Sequence, residues 1–378
     1  MFYILRNSFM PNTASANRAL AYYKAMDVIG VEAKVIILQA DAHQSRIDYV
    51  FKHLIIEYWW ENGFQSRNKY YRRIQYFLNL RRFLKQVKPG DKVYIYGSSH
   101  GIHSLLKKKG VGVYLEVTEH PLVHPVITRF GRNTHKKAID DCRQLNRLFV
   151  ISNYLKQYYI EEGVPEGVIH VINMFVDVKR FDGLFRSSKD RYICYCGNGN
   201  NKKDKVDNLI NVFSSIAARF PDVNLMIVGP TQQPYSDEKN NVELVRELGL
   251  EDRVTFTGIL PSNQIPQILI NAELLALDRP NTLQNKAGFA TKLGEYLLSG
   301  RPVVVTSIGD VPLFLKDKES ALVVEPDNPD AFAEKIVWAL NNKNDADMIG
   351  ERGREVASRE FNSMIETKKL VSFIQPDC

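Results

Sequence analysis

Two stretches of the chain combine residue types that can hold a charged phosphate ester. The first is Gly288-Phe-Ala-Thr-Lys-Leu-Gly-Glu-Tyr-Leu-Leu-Ser-Gly-Arg-Pro302, which runs into the apolar Val303–Thr306. The pattern predicts a loop entering a helix near Thr291, a left-handed cap at Gly300, and a Pro302 that prevents continuation. A helix start offers free backbone N–H groups and a partial positive charge, which suits a diphosphate. Thr291 can cap that helix or hold a phosphate oxygen, and Lys292 adds a cation at the same end. Glu295 lies one turn on, on the same face, where it can accept hydrogen bonds from a sugar hydroxyl beyond the phosphates. The plainer alternative is a well-capped core helix with Lys292 and Glu295 facing solvent. The second stretch is Cys196-Gly-Asn-Gly-Asn-Asn-Lys-Lys-Asp-Lys205. Glycines let the backbone approach a ligand, and lysines neutralise phosphate. It lacks the Gly-Lys-Ser/Thr of a P-loop and the third glycine of the dinucleotide fingerprint. Alone it reads as a flexible polar loop. Beside the Gly288 loop at one sheet edge it makes a clamp on two phosphates.

Both stretches need a sheet to position them. Strand-like runs at Phe2–Leu5, Ala33–Leu38, Lys92–Tyr96, Gly112–Val117 and Leu148–Ile151 alternate with helical patterns. A polar, weakly periodic stretch near residues 181–190 follows. A second series has strands expected at Tyr192–Tyr195, Asn224–Val228, Val254–Thr257, Leu274–Ala276, Val303–Thr306 and Leu322–Val324. Strands separated by helices predict parallel sheets with crossover helices. The fold class expected is α/β: two Rossmann-like, doubly wound parallel-sheet domains facing across a cleft. The expected boundaries are 1–180, 181–355 and a C-terminal helix at 356–378 returning to the first domain.

The chain of 378 residues is 44% hydrophobic and 25% charged, which excludes disordered, collagen-like and low-complexity classes. No run of about 18 apolar residues exists to span a membrane. Met1–Arg6 reads as a buried strand and not as a signal peptide. The four cysteines make no disulfide framework, and Cys194 and Cys196 read as a packed, reduced pair. A cytoplasmic protein is expected. Residues 1–180 hold 27 Lys and Arg against 15 Asp and Glu; the remainder holds 23 against 28. Much of the basic excess lies between Lys52 and Lys88. There Arg72, Arg73, Arg81, Arg82, Lys85 and Lys88 interleave with Tyr58, Trp59, Trp60, Phe64, Tyr70, Tyr71, Tyr76 and Phe77. Such a surface suits anionic lipid head groups at the inner face of a membrane. An amphipathic helix pair with a solvated basic face is the alternative.

The order of motifs also resembles a family. The lysine-bearing Gly loop precedes Leu225-Met-Ile-Val-Gly229, Val254-Thr-Phe-Thr-Gly258 and the Gly288–Thr306 segment. Val150-Ile-Ser-Asn-Tyr-Leu155, Val171-Ile-Asn-Met-Phe-Val-Asp177 and Leu322-Val-Val-Glu-Pro-Asp327 add to it. Together they resemble retaining glycosyltransferases of family 4, which have the GT-B fold. The resemblance is strong over residues 150–340 and loose over 1–130. It implies a nucleotide-sugar donor held by the C-terminal domain and a glycan or lipid-linked acceptor held mainly by the N-terminal one.

Carried over by position, Gly197, Gly258, Gly288, Phe289, Thr291 and Lys292 fall in the donor-binding set. Lys203 meets the diphosphate and stabilises its developing charge, with Lys202 and Lys205 as alternatives. The family's Lys-Gly step is occupied here by Asp204-Lys205. Glu295 matches the second glutamate of the family's two-glutamate motif, which grips the nucleotide ribose. The first falls on Ala287 and is absent. Arg279 is either a compensating contact near the sugar or a surface loop charge. On the acceptor side Glu119 and His120 are the candidates, with His124 trailing, and Asn12 and Thr13 approach the diphosphate from the first loop.

The only D-x-D, Asp345-Ala-Asp347, reads as helix capping, so transfer without a metal cofactor is expected. The expected function is a hexosyl-type glycosyltransferase in cell-surface polysaccharide synthesis, with no nucleic-acid partner. Rival readings are a nucleotide-sugar epimerase of the same architecture and a non-catalytic sugar-nucleotide-binding protein. A dehydrogenase is disfavoured, because neither sheet starts with the dinucleotide fingerprint.

Overall fold

Among the described residues of a computed structural model, thirteen parallel strands sort into two sheets. The structure describes residues 1–11, 13–40, 45–62, 69–97, 102–123, 132–199, 201–230 and 240–376. Two units result: Met1–Asn173 with Ser363–Cys378, and Met174–Asn362.

The first unit holds β1 (Phe2–Arg6), β2 (Ala33–Ile37), β3 (Leu54–Tyr58), β4 (Lys92–Tyr96), β5 (Gly112–Val117), β6 (Arg147–Val150) and β7 (Ile169–Val171), in the order β3-β2-β1-β4-β5-β6-β7. Its central strands read as unbroken apolar runs because helices cover both faces: Val35, Ile36 and Ile37 are fully buried. Helix α1 (Ala14–Val28) starts at Thr13, whose hydroxyl accepts from the Ala16 amide. The last helix, Ser363–Ile374, packs on α1, and its Phe373 ring stacks on His170 at 3.9 Å. By its contacts this last segment, Ser363–Cys378, groups with the first unit.

The second unit holds β8 (Arg191–Cys196), β9 (Val223–Val228), β10 (Val254–Gly258), β11 (Leu274–Leu277), β12 (Val303–Thr306) and β13 (Leu322–Val324), in the order β10-β9-β8-β11-β12-β13. Both sheets therefore grow outward in two directions from their first strand, which is the doubly wound pattern. Among this unit's crossovers, Val206–Ile216 buries six apolar side chains on one stripe, and Thr291–Leu298 lies beyond β11.

The region 52–88 departs from a helix pair. Leu54–Tyr58 is the edge strand β3, in register with β2 from Ala33↔Leu54 to Ile37↔Tyr58. Leu54 turns inward and Ile55 outward, the period of a half-buried strand. A single turn, Trp59–Asn62, leads on to α2 (Lys69–Gln86). Trp59, Trp60 and Tyr76 are buried, and Arg82 lies 4.6 Å over the Trp59 ring, so these three of the aromatic residues serve the core. Phe64 lies outside the described residues. The long terminal helix is two, Lys343–Glu360 and Ser363–Ile374, broken at Phe361, whose ring packs against Phe289 and Phe314.

Candidate active site

Doubly wound sheets take ligands beyond the carboxyl ends of their strands, where the strand order reverses. In the second unit that point lies between β8 and β11. Gly197 follows β8, and Asp278-Arg279-Pro280 follow β11. Gly197 lies against Lys292 of α3 (Thr291–Leu298). The Tyr296 hydroxyl on α3, wholly buried, accepts from the Cys196 amide at 2.6 Å and donates to its carbonyl at 3.1 Å. That ties the end of β8 to the helix. A Cβ at Gly197 would collide with Lys292 Nζ and the Tyr195 hydroxyl, so glycine is needed for this close approach. Ala290 occupies the cap position of α3 and offers no side-chain cap. Thr291 therefore lies inside the first turn and does not cap the helix.

A buried charge cluster fills the space behind this loop. Asp204, 2% exposed, ion-pairs with Lys292 and accepts from the Tyr195 hydroxyl at 2.7 Å. Lys292 Nζ also donates to the Tyr195 hydroxyl at 3.2 Å. Arg279 Nε faces Asp204 Oδ1 at 3.3 Å, outside hydrogen-bond geometry, and neither atom bonds to another described residue. Burial alone would raise the Asp204 carboxyl. The charges of Lys292 and Arg279, with hydrogen bonds from Lys292 and Tyr195, outweigh it and hold the carboxyl below its usual range. Burial pulls the Arg279 guanidinium down, against the opposing pull of Asp204. Two cations thus face one carboxylate at the start of a helix that carries a partial positive charge of its own.

Lys203 is half-buried, and its carbonyl accepts from Asn285 Nδ2 at 3.0 Å; Lys202 is exposed. Lys205 bonds to Asp327 at 2.8 Å and stands in the left-handed region at φ 41°. Gly258 ends β10, and its carbonyl accepts from the Gly229 amide at 3.0 Å. Gly288 is extended, with φ −92° and ψ 174°. The Phe289 ring is a core group, packed on Phe314 and Phe361, so only its backbone is left to offer a ligand. Arg279 is 4% exposed, which removes the surface-loop alternative. Glu295 is ion-paired with Arg180, whose Nη2 also donates to Ser262 O at 2.6 Å. Asp347 takes Arg301 and, at 3.2 Å, Lys343, while Asp345 stands in the first turn of its helix.

The first-unit candidates belong to the other sheet. Thr13 caps α1 and donates to Met10 O at 2.8 Å. Glu119 is exposed. His120 is buried; its Nδ1 accepts from the Leu122 amide at 3.2 Å, and its ring centroid lies 4.1 Å from that of Tyr158. Burial, then the charge of His135, lowers its pKa. Asn12 and His124 lie outside the described residues.

A second buried cluster in this unit centres on Glu116, 1% exposed. It accepts from Arg18 Nε at 2.7 Å, from the Tyr22 hydroxyl at 3.0 Å, and from the Tyr94 hydroxyl. Arg18 also donates to Asn173 O at 3.1 Å and Ile172 O at 3.3 Å. The Asn173 amide in turn donates to Glu366 at 2.8 Å.

Sequence reasoning missed Asp204 as a cluster centre, with Tyr195, Asn285 and Arg180. The one available signal was the acid at the family's Lys-Gly step. Its partners lie at sequence distances of 75 and 88 residues, which spacing alone does not link.

The fold is GT-B: two parallel-sheet α/β domains. The structure matches that of Anabaena HepE, crystallised with UDP and glucose, with a TM-score of 0.73 at 16% identity over 99% of both chains. Residues 179–356 match the family model of glycosyl transferases group 1. The N-acetyl-alpha-D-glucosaminyl L-malate synthase of Bacillus anthracis is 25% identical over 171 residues, 45% of this chain and 41% of that protein. A GDP-mannose-dependent alpha-(1-6)-phosphatidylinositol monomannoside mannosyltransferase of Mycobacterium tuberculosis is 25% identical over 173 residues, 45% of this chain and 44% of that protein. The matches thus span less than half the length of these curated relatives.

Proposed function

We propose that this chain is a glycosyltransferase that moves a sugar from a nucleotide-sugar donor to a glycan or lipid-linked acceptor, with retention of anomeric configuration and without a metal. The observation that carries this reading is the Asp204–Lys292–Arg279 cluster at the strand-order reversal of the group 1 domain. Its surplus positive charge beside an uncapped helix start suits a nucleoside diphosphate. Lys292 takes the diphosphate role that the sequence resemblance gave to Lys203, and Asp204 positions it. Glu295, steadied by Arg180, receives the ribose. Gly197, Gly288 and Thr291 line the phosphates.

In the transfer, the bond between the anomeric carbon and the donor's phosphate oxygen breaks. The electron pair leaves with the nucleoside diphosphate, where Lys292 and the start of α3 stabilise it. The acceptor hydroxyl oxygen bonds to the anomeric carbon from the same face and passes its proton to the departing phosphate. Glu119 and His120 serve the acceptor side. The relatives' names favour a transferase over an epimerase, and glycan synthesis with a basic first half favours work at an anionic membrane surface.

Thermal melting across a panel of nucleoside diphosphates and nucleotide-sugars tests the donor reading. A shift of several degrees is expected for at least one base, unchanged by EDTA and lost in Lys292→Met. No shift with any of them would refute it. Product anomeric configuration, read by NMR, tests retention.

A further inference from the structure

We propose that the outer face of α2 is the surface on which this chain lies against an anionic lipid bilayer. The inference deepens the membrane reading above and rests on it. Helix α2 contains six basic residues and no acidic one in its 18 positions. Its inner face is fixed to the unit: Tyr76 and Phe83 are buried, Gln75 Nε2 donates to Trp60 O, and Asn79 Nδ2 donates to Leu38 O, both at 2.7 Å. Its outer face carries large apolar side chains in the open. Tyr70, Tyr71, Ile74, Phe77 and Leu78 are 67%, 53%, 55%, 49% and 60% exposed. Their spacing of i, i+1, i+4, i+7 and i+8 makes one continuous stripe. Arg73, Arg81 and Lys85 are also exposed, and Arg73 leans to 6.0 Å from the Phe77 ring.

A scattering of exposed apolar residues needs no explanation, but a contiguous stripe of five does. The charge chooses the occupant. A second copy would bring the same arginines against these. A nucleic acid would answer the arginines and leave Ile74, Phe77 and Leu78 in water. An anionic bilayer answers both: apolar side chains enter below the head groups, tyrosines settle at the interface, and arginine stems lie along the surface with their charges among the phosphates. Among the described residues no helix is long and apolar enough to cross a membrane, so α2 would lie in the plane. The structure also narrows the set of residues involved. Trp59, Trp60 and Tyr76 are committed to the core, Arg72 is half-buried, and Arg82 stacks on Trp59.

Cosedimentation of the full chain with vesicles tests this. Wild type is expected to bind phosphatidylglycerol-containing vesicles, to bind pure phosphatidylcholine far less, and to weaken with salt. Phe77→Glu/Leu78→Glu should abolish binding, and Arg73→Glu/Arg81→Glu should lower it by about tenfold or more. Both variants should keep the wild-type melting temperature and nucleotide-induced shift. If wild type binds and both variants bind equally well, the assignment of this face falls while the membrane reading stands. If wild type binds no anionic vesicle, both fall. If wild type is a dimer by light scattering and Phe77→Glu/Leu78→Glu makes it monomeric, the face joins two copies and the proposal is overturned.

Discussion

Two buried carboxylates, one in each unit, are each paired with an arginine, yet their surroundings differ. Glu116 receives a guanidinium and two tyrosine hydroxyls, while Arg18 spends its other donors on Ile172, Asn173 and Tyr22. Charge and hydrogen bonds balance there. Asp204 faces two cations, and its Oδ1 and the Arg279 Nε that confronts it make no hydrogen bond. A closed network holds a fold together, and an open one with surplus charge can receive an anion. A third carboxylate, Asp278, sits one residue before Arg279, and among the described residues no cation forms an ion pair with it. Burial is the main cause that pushes it up to about 6, with Asn208 and Lys205 opposing and Asp327 and Asp207 assisting.

Changing these groups tests the contrast. The largest loss of stability should follow Glu116→Ala, which strands the Arg18 charge in the core. Urea unfolding should show a loss of about 3–5 kcal/mol. Lys292→Met should instead act on turnover. On the proposed reading kcat falls by about 10²–10³, while the urea midpoint moves little, because Arg279 and Tyr195 still face Asp204. Equal stability losses in the two variants would erase the distinction. The smallest effect is at Asp278. A raised carboxyl favours the protonated form in the folded chain, so its contribution is full below the unfolded value of 3.8 and is lost as pH rises through about 6. Asp278→Asn should therefore gain on wild type by about 2 kcal/mol between pH 4 and pH 8 in paired unfolding curves. No pH dependence in that difference would place Asp278 in a polar setting after all.

The sequence made some of this legible and hid the rest for physical reasons. The central strands were readable because strands buried on both faces must be apolar throughout, as in Val303–Thr306. β3 was hidden because its edge position leaves Ile55 exposed and places Glu57 and Tyr58 beside basic and aromatic neighbours, which mimics a helix pattern. The helix bearing Thr291 and Glu295 was readable from its glycine and proline stops. Lys292 was not singled out over Lys203, because its ion-pair partner Asp204 lies 88 residues away in sequence. The basic aromatic stretch showed its composition plainly. Which rings point outward depended on where α2 begins, and that was settled only by packing on Trp60 and Leu38.

The placement of Ser363–Ile374 on α1 carries a consequence for how the molecule is made. A ribosome delivers the amino end first, so the seven-stranded sheet emerges early but lacks its closing piece until some two hundred further residues have been threaded. During that interval His170 waits without the Phe373 ring, and Asn173 without Glu366. The later-translated unit is continuous along the chain, and the earlier one is finished last.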